Sequence, residues 1–540
     1  MMRPRFVPVV LSALLAVLLV VPAAHAASAF KASTRNVQVL DAPPPAGAQV
    51  LKYKFGPMKI QPGQNVIDVD VQKERPAENG WIVGFRPGLV DSKTGKSPNV
   101  NVVHLHHAVW LVDLKPVFAA GEEKTYFNAP QGYGWRYTTK QVWMLNHMIH
   151  DLTGQPHTVD LTYTLYFIPD SAPEAAGIKQ IDTQWMDVQG IKPYPVFNAI
   201  RGSGSKGTFE YPDQAKNPYP DGKVRNKWVV DHDATLVTTA GHLHPGGLWT
   251  DLKVTRDGKT VNLFRSYANY FEPSGPVSWD VAMTATGPNW RVAVKKGDVL
   301  SVTATYDTTK ASWYEVMGIM VLGITKEPDG GVDPFTGQVD KTDYLTHPRL
   351  PENIDNGGRK NPGLSNPLRL RPGPFKDKVT IKNFVYQQGD LSMPGKKGLP
   401  PQVEQGKQLT FVNQDSPLTI RFHTITSCKA PCNRTSGIKF PLVDGPTVFD
   451  SGELGFGPTV DFGGDANTPI TPVVDKPADR SKCTPSPTGG LIKLIQNSCV
   501  GEATWKTPRN LSPGTYTYFC RIHPFMRGAF KVVPKTKVKA

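Results

Sequence analysis

The most specific chemistry in the sequence lies near its C-terminal end, in Cys520-Arg521-Ile522-His523-Pro524-Phe525-Met526. This segment places a thiolate, an imidazole and a thioether within seven residues, so one loop can wrap around a single metal ion. Soft sulfur ligands together with imidazole favour copper, and two imidazoles, one thiolate and a weak axial Met define a blue-copper site. The spacing therefore predicts copper ligation by Cys520, His523 and Met526.

The same segment resembles the loop of the cupredoxin, or type 1 copper, family, and within it the short-loop amicyanin-like members. That family takes a further histidine from an upstream strand, and only His423, in Arg421-Phe422-His423-Thr424, is available in this region. The resemblance implies the ligand set His423, Cys520, His523 and Met526. Multicopper oxidases carry histidines on both sides of the corresponding cysteine, whereas Phe519 and Arg521 flank Cys520 here, which argues against that class.

The chain has five cysteines, and in a secreted protein an odd number requires an explanation. If Cys520 ligates copper, the other four can pair with one another, for example Cys428 with Cys432 and Cys483 with Cys499. Three pairings are possible, and the sequence does not choose between them. A zinc site at Cys428 and Cys432 would call for a second pair at zinc-ribbon spacing, which is missing.

A second group of metal-ligating side chains lies between residues 104 and 244, which contain nine of the thirteen histidines. Seven of the nine form three tight groups: His104-Leu105-His106-His107, His147-Met148-Ile149-His150 and His242-Leu243-His244. Residues two apart in a β-strand point to the same face, so a His-x-His pair can present two nitrogens to one metal. Three such groups in one cysteine-free stretch predict metal binding.

The order of these groups, followed by a methionine, resembles the copper monooxygenase family of peptidylglycine alpha-hydroxylating and dopamine beta-monooxygenases. The resemblance implies two further mononuclear copper sites, one formed by His106, His107 and His150, the other by His242, His244 and Met317. The second of these would be the catalytic site, where O2 and a substrate C–H bond react. The resemblance also implies two tandem jelly-roll sandwiches over roughly residues 30–325.

The residues themselves leave several ligands open. Adjacent residues in a regular strand point to opposite faces, so joint ligation by His106 and His107 requires a bulge or a strand end. The alternatives are His104 in place of His107, His147 in place of His150, and Met320 in place of Met317. A structural zinc site in this region is a further interpretation.

Strand patterns fill nearly the whole chain, because alternating or β-branched runs such as 158–168 are separated by clusters of turn residues. The sequence predicts an all-β fold, with two tandem jelly-roll-like β-sandwiches followed by a cupredoxin Greek-key β-sandwich. The predicted segments are a signal peptide at 1–26, sandwiches at 27–205 and 206–325, a Pro/Gly-rich linker at 326–376, and a cupredoxin domain with a basic tail at 377–540.

The first residues have the features of an export signal. Arg3 and Arg5 precede an apolar run, and Ala24-His25-Ala26 offers a small-x-small cleavage pattern. The expected location is therefore secreted or extracytoplasmic, in the cell envelope, with no transmembrane segment after signal cleavage. The formal net charge of +15 is scattered along the chain, which disfavours specific nucleic-acid binding.

Together these features predict an exported multi-copper protein in which a blue-copper domain supplies electrons to a dicopper unit that hydroxylates a C–H bond with O2. Such a cycle needs a redox partner or a small-molecule reductant, and an organic substrate that the sequence does not identify. The alternative is a non-enzymatic electron carrier or copper-handling protein. It is favoured by the lack of recognisable substrate residues and of cysteines in the N-terminal region.

Overall fold

The computed structural model describes residues 37–535 apart from 63, 65–66, 101, 154, 191–195, 220–221, 272–280, 310–311, 350–362, 416–421, 434–447, 453, 456–503, 522 and 524. The predicted signal peptide, part of the predicted linker, and both Cys483 and Cys499 lie outside these residues. The described residues contain no α-helix, so the all-β prediction is confirmed. None of their helical segments is long and apolar enough to cross a lipid bilayer.

The first sandwich packs two sheets face to face, and side chains from both sheets share one hydrophobic core. One sheet has the order β1-β9-β3-β7, and the other has the order β2-β8-β4-β5. Their strands are β1 Gln49–Ile60, β2 Ile67–Val71, β3 Gly80–Asp91, β4 Val103–Val112, β5 Lys115–Gly121, β6 Phe127–Asn128, β7 Tyr133–Tyr137, β8 Trp143–Asp151 and β9 His157–Pro169. A short 3-10 helix at Pro173–Gly177 follows β9.

The second sandwich has its own core, to which aromatic and β-branched side chains contribute most of the volume. Its strands are β10 Lys179–Asp187, β11 Phe197–Ala199, β12 Thr208–Tyr211, β13 Lys227–Val229, β14 Ala234–Leu243, β15 Gly247–Arg256, β16 Lys259–Tyr270, β17 Val281–Thr286, β18 Val292–Val294, β19 Val299–Asp307, β20 Trp313–Val316, β21 Gly318–Thr325 and β22 Asp343–Leu345. The path β10-β21-β14-β17-β16-β15-β19-β12 runs without interruption through hydrogen-bonded neighbours.

The two N-terminal sandwiches share backbone hydrogen bonds. Strand β10 pairs in parallel with β7 of the first sandwich, and on its other edge it pairs antiparallel with β21 of the second. Strand β22, which falls in the segment predicted as a linker, adds to the second sandwich by pairing with β17. Because one sheet continues from the first sandwich into the second, the histidine-bearing strands of both are held in a common frame.

The third sandwich contains a four-stranded sheet of order β24-β23-β26-β30 and another of order β25-β32-β31-β28, again around a shared core. Its strands are β23 Lys378–Lys382, β24 Val385–Tyr386, β25 Gln402–Glu404, β26 Thr410–Asn413, β27 Phe422–His423, β28 Thr426–Cys428, β29 Leu454–Gly455, β30 Thr504–Lys506, β31 Gly514–Phe519 and β32 Arg527–Val533. A 3-10 turn spans Gly395–Gly398. The turn between β31 and β32 carries Cys520, His523 and Met526.

Candidate metal centres

The third sandwich brings together two imidazoles and the thiol that the sequence singles out. The Cys520 Sγ lies 3.8 Å from His423 Nδ1 and 3.6 Å from His523 Nδ1, and the two Nδ1 atoms are 3.2 Å apart. Within the described part of the chain, this is the one group of three or more His, Cys, Asp or Glu whose donor atoms all lie within 4.8 Å of one another. All three side chains are buried.

These distances fit a single metal ion. Three donors held about 2.0–2.3 Å from a shared metal, as imidazole and thiolate ligands are, lie roughly 3.5 Å from one another in a trigonal arrangement. The observed separations fall on both sides of that value. The donor set is therefore suited to a copper ion without any rearrangement of the backbone.

The first histidine of this site is oriented by a buried carboxylate. His423 Nε2 lies 3.1 Å from Asp415 Oδ2, and this contact directs the Nδ1 atom toward Cys520. Asp415 is held in turn by the backbone N–H groups of Asn383 and Phe384, which donate to its two oxygens. A carboxylate behind a ligating histidine fixes the ring's tautomer and orientation.

The electrostatics of the site favour the thiolate form of Cys520. Burial by itself would raise the pKa of the Cys520 thiol, but hydrogen bonds and charge from His423 and His523 outweigh burial and lower the pKa well below its usual value. The backbone N–H of Thr424 also donates to Sγ at 3.3 Å. Burial by itself would raise the pKa of Asp415, but hydrogen bonds from His423 and from the backbone N–H groups of Phe384 and Asn383 lower it to about 2.

The fourth predicted ligand, Met526, lies on the same closed loop. The backbone N–H of Cys520 donates to the Met526 carbonyl at 3.1 Å, and the N–H of Met526 donates to the His523 carbonyl at 2.9 Å. Met526 is buried, and the ring of Phe384 packs edge-on against His523 at a centroid distance of 4.9 Å. The loop thus holds its sulfur and nitrogen atoms in a dry, apolar setting.

The pairing of the described cysteines agrees with one of the alternatives that the sequence left open. Cys428 and Cys432 form a disulfide with a Cα–Cα distance of 5.9 Å, and Cys520 is a free, buried thiol. The suggested pair of Cys483 and Cys499 stays a prediction, because both residues lie outside the described part of the chain.

We expect the Asp415→Asn variant to bind copper about 10- to 100-fold more weakly than the wild type, because an outer partner of a ligating histidine typically has that effect. Competition with a copper chelator, followed by the visible absorption of the bound metal, measures the change. Asp377→Asn, on an exposed carboxylate of the same sandwich, is the control and should leave the affinity unchanged. Equal affinities for the two variants would contradict the role given to Asp415.

In the first sandwich, a bulge solves the problem posed by two adjacent histidines. The pairing of β4 with β8 shifts register between Leu105 and His107, so His106 is an extra residue in its strand. As a result, the two neighbouring rings converge instead of pointing to opposite faces, and His106 Nδ1 lies 3.4 Å from His107 Nδ1. The bulge is the feature that joint use of these two side chains requires.

The ring of His106 occupies the centre of a histidine cluster that draws on both sandwiches. Its centroid lies 4.4 Å from that of His150 and 4.8 Å from that of His244. His244, which the sequence analysis grouped with His242 and Met317, thus lies beside His106 of the other predicted set. The division of these residues between two metal sites stays a prediction. We call His106, His150 and His244 the triple-histidine cluster.

The structure also bears on the alternatives that the sequence left open. His104 lies 2.9 Å from the Val100 carbonyl through Nδ1 and 3.3 Å from a Glu122 carboxylate oxygen through Nε2. His147 contacts Asp70 at 3.0 Å. The Met320 thioether accepts a hydrogen bond from Thr250, whereas Met317 lines a cavity together with His242 and His107. These contacts favour His150 over His147 and Met317 over Met320.

The electrostatics of the triple-histidine cluster favour neutral imidazoles, although the donor atoms of its three rings are not all within 4.8 Å of one another. Burial, and then the neighbouring histidines, lower the pKa of His106 and of His150 well below the usual value. Burial lowers the pKa of His107 to about 4. At neutral pH these rings therefore keep lone pairs available, which is the form in which imidazole ligates metals.

A pair of buried carboxylates beside the histidines was not anticipated from the sequence. Glu123 Oε1 lies 2.8 Å from His242 Nδ1, and this carboxylate outweighs burial and raises the pKa of His242. Burial and the charge of Glu123 raise the pKa of Glu122 well above its usual value. The sequence did contain a signal for this pair, because two acids, Glu122 and Glu123, directly follow the apolar strand β5. Acidic side chains are seldom fully buried without a partner, so their position pointed to a partner elsewhere in the chain.

The loop that carries Cys520 and His523 contacts the second sandwich. The Arg521 guanidinium donates to the Ser312 carbonyl and forms an ion pair with Asp450. The charge of His523 is among the causes that lower the pKa of His150, after burial and His104. One predicted blue-copper ligand thus interacts electrostatically with a member of the triple-histidine cluster.

No protein-family model matches the chain, and neither does any curated protein. Similar solved structures include the copper-containing nitrite reductase (NirK) from Thermus scotoductus SA-01, with 13% identity, a TM-score of 0.13 and 55% of each chain covered. The match thus spans about half the length of that reductase.

Two other solved structures are similar to the chain over a comparable length. The PBCV-1 protein VP54, fitted into a reconstruction of the virophage Sputnik, has 8% identity and a TM-score of 0.23, with 53% of this chain and 95% of that chain covered. The recombinant N-glycanase F (PNGase F) has 8% identity and a TM-score of 0.17, with coverages of 55% and 96%. At such TM-scores none of the three similarities bears on function.

Proposed function

We propose that this protein is a copper-dependent oxidoreductase in which a blue-copper site in the third sandwich exchanges electrons with a metal held by the N-terminal histidines. The observation that carries the proposal is the convergence of His423, Cys520 and His523, with donor atoms 3.2–3.8 Å apart. Met526 on the same loop would supply the weakly bound thioether that a blue-copper site uses. Copper, when bound, would supply one-electron redox chemistry.

The chain's own residues would set up the exchange of electrons. The electrostatic effect of His523 on the pKa of His150 supports a short route for electrons between the two sites. Arg521, next to the Cys520 ligand, anchors the loop on Ser312 of the second sandwich. Holding both sites on one chain raises the effective concentration of the electron carrier beside its acceptor.

A hydroxylase activity on C–H bonds is the more specific form of this proposal. It is favoured by the apolar cavity on which His107, His242 and Met317 all lie, because a hydrocarbon group could approach the histidines there. In this form, the metal sites would comprise one type 1 copper and two further mononuclear coppers. A small-molecule reductant or a redox partner would deliver electrons, O2 would be the oxidant, and the protein would act in the secreted or extracytoplasmic space.

We expect copper-loaded wild-type protein to take up O2 when ascorbate is added as reductant, with a rate that rises when a suitable organic substrate is present. The rate of O2 uptake by the His242→Ala variant should be at least about 100-fold lower than that of the wild type. The change removes a proposed metal ligand and leaves the buried Glu123 carboxylate without its imidazole partner. An oxygen electrode and copper analysis of the same samples make the measurement.

His232→Ala is the matched control, since this histidine is partly exposed and pairs with Asp231 away from the cluster. It should retain the wild-type rate. Uptake of O2 that survives in His242→Ala would exclude His242 from the reaction. Full copper content without any O2 uptake would instead support the non-enzymatic alternative, an electron carrier or copper-handling protein.

A further inference from the structure

A cavity of about 470 Å³ lies between the first two sandwiches. Strands β4, β5 and β8 supply one wall, and β10, β14 and β21 supply the other. The lining is mainly apolar and includes Leu111, Met144, Trp185 and Val321. Its volume is in the range of small-molecule binding sites, which bury a ligand among apolar side chains with a few polar groups for orientation.

Most of this cavity offers few hydrogen-bond partners to water. An ordered water molecule needs two to four polar partners. Such partners are concentrated among a few lining residues, chiefly His107, Glu123, Asn146 and His242. The larger apolar part of the cavity therefore suits a hydrocarbon group.

The cavity has an apolar entrance. Val69 and Leu114 line it, and they are 43% and 73% exposed, respectively. Leu114 lies in the turn between β4 and β5 with a φ of 68°, in the left-handed region that a bulky side chain seldom adopts. Turns of this kind favour Asn or Gly. An exposed leucine at this position therefore costs backbone strain, and it adds an apolar side chain to the entrance.

Glu123 is the one carboxylate among the lining residues. Glu123 is buried, and its Oε1 is engaged by His242 and by the Gly121 backbone, but its Oε2 accepts no hydrogen bond from the described residues. The absence of a Cβ at Gly121 makes room for this carboxylate, because a Cβ there would lie 2.5 Å from Oε2. A carboxylate can accept about four hydrogen bonds, so Glu123, with the two from His242 and Gly121, retains capacity for one from a ligand hydroxyl.

We propose that this cavity binds a small, largely hydrocarbon molecule with a single hydroxyl group. The hydrocarbon part lies among the side chains of Leu111, Met144 and Val321, and the hydroxyl donates to Glu123. Binding needs no metal. That the bound molecule is also the substrate rests on the proposed oxidoreductase function.

The test is calorimetric titration of the full-length chain, both copper-loaded and after chelation, with 4-alkylphenols from 4-methylphenol to 4-butylphenol. The Kd should fall about fourfold for each added methylene, the fold-change that follows from burying one CH₂, until the cavity is full. Butylbenzene, which lacks the hydroxyl, should bind at least about tenfold more weakly than 4-butylphenol, because a hydrogen bond to a charged group is lost.

Two variants locate the site. Ala119→Phe places a ring into the cavity and should weaken binding of 4-butylphenol at least about tenfold, whereas Val229→Phe, on an exposed edge outside the cavity, should not. Glu123→Gln should reduce the preference for the phenol over butylbenzene while retaining butylbenzene binding. If Ala119→Phe does not fold, Val321→Phe on the opposite wall replaces it.

The outcomes separate this inference from the proposed function. A Kd independent of alkyl length, or equal in the wild type and the cavity-filling variant, would overturn the binding site even in a protein that binds copper fully. Binding with the expected length dependence in a protein that shows no copper colour and no O2 uptake would support the site and refute the oxidoreductase.

Discussion

The Cys520→Ser variant is expected to lose the intense blue colour of the copper-loaded protein completely. The colour of a blue-copper site depends on a thiolate in a trigonal set with two imidazoles. Cys520 is the one free cysteine among the described residues, and its Sγ lies within 4 Å of both His423 Nδ1 and His523 Nδ1. Visible absorption after titration with Cu(II), with bound copper measured on the same sample, gives the result.

A matched control removes two cysteines instead of one. The double variant Cys428→Ser with Cys432→Ser deletes the disulfide but leaves every proposed ligand in place, so it should stay blue. A second control is His423→Gly, whose colour should return when free imidazole is added, because the small ligand can take the place of the missing ring. A colourless copper form of the wild type would rule out the blue-copper assignment.

The His106→Ala variant is expected to keep the blue colour but to lose the acceptor of its electrons. His106 is central to the triple-histidine cluster, where its ring contacts those of both His150 and His244. When the reduced protein is mixed with O2, the rate at which the blue colour returns should be at least about 100-fold lower than in the wild type. Removing even a hydrogen-bond partner of a metal ligand typically lowers metal affinity or activity about 10- to 100-fold. Stopped-flow absorption measures the rate.

The comparison for His106→Ala is again His232→Ala, which should reoxidise like the wild type. Copper analysis should show a loss of non-blue copper in His106→Ala only. Reoxidation at the wild-type rate in His106→Ala would mean that the blue site reacts with O2 or with an external partner directly. That result would refute electron transfer to the cluster while leaving the blue-copper assignment intact.

Much of the C-terminal site could be predicted because its chemistry is local. Cys520, His523 and Met526 lie on one short loop, so their spacing already restricts them to one metal ion. His423 comes from a separate strand, but it is the only other histidine of the region, so composition identified it. The all-β fold was predictable for a similar reason, since strand alternation and turn residues are local signals.

The N-terminal site shows where local reasoning stops. The three histidine groups were evident in the sequence, but the contacts between the groups were not, because they depend on a bulge at His106 and on β14 lying against the first sandwich. Both features arise from the register between strands far apart in sequence. A one-residue shift in register moves a side chain to the other face of a sheet, and no local pattern records it.

The buried carboxylates and the cavity likewise could not be predicted from local sequence patterns. Glu123 acquires a role through a contact with His242, more than a hundred residues away. The cavity exists because two sandwiches joined through β7 and β10 leave space between their facing sheets. The sequence thus determines by local patterns which residue types can bind metal and which strands carry them. The grouping of these residues, their protonation and the cavity beside them depend on packing between distant parts of the chain.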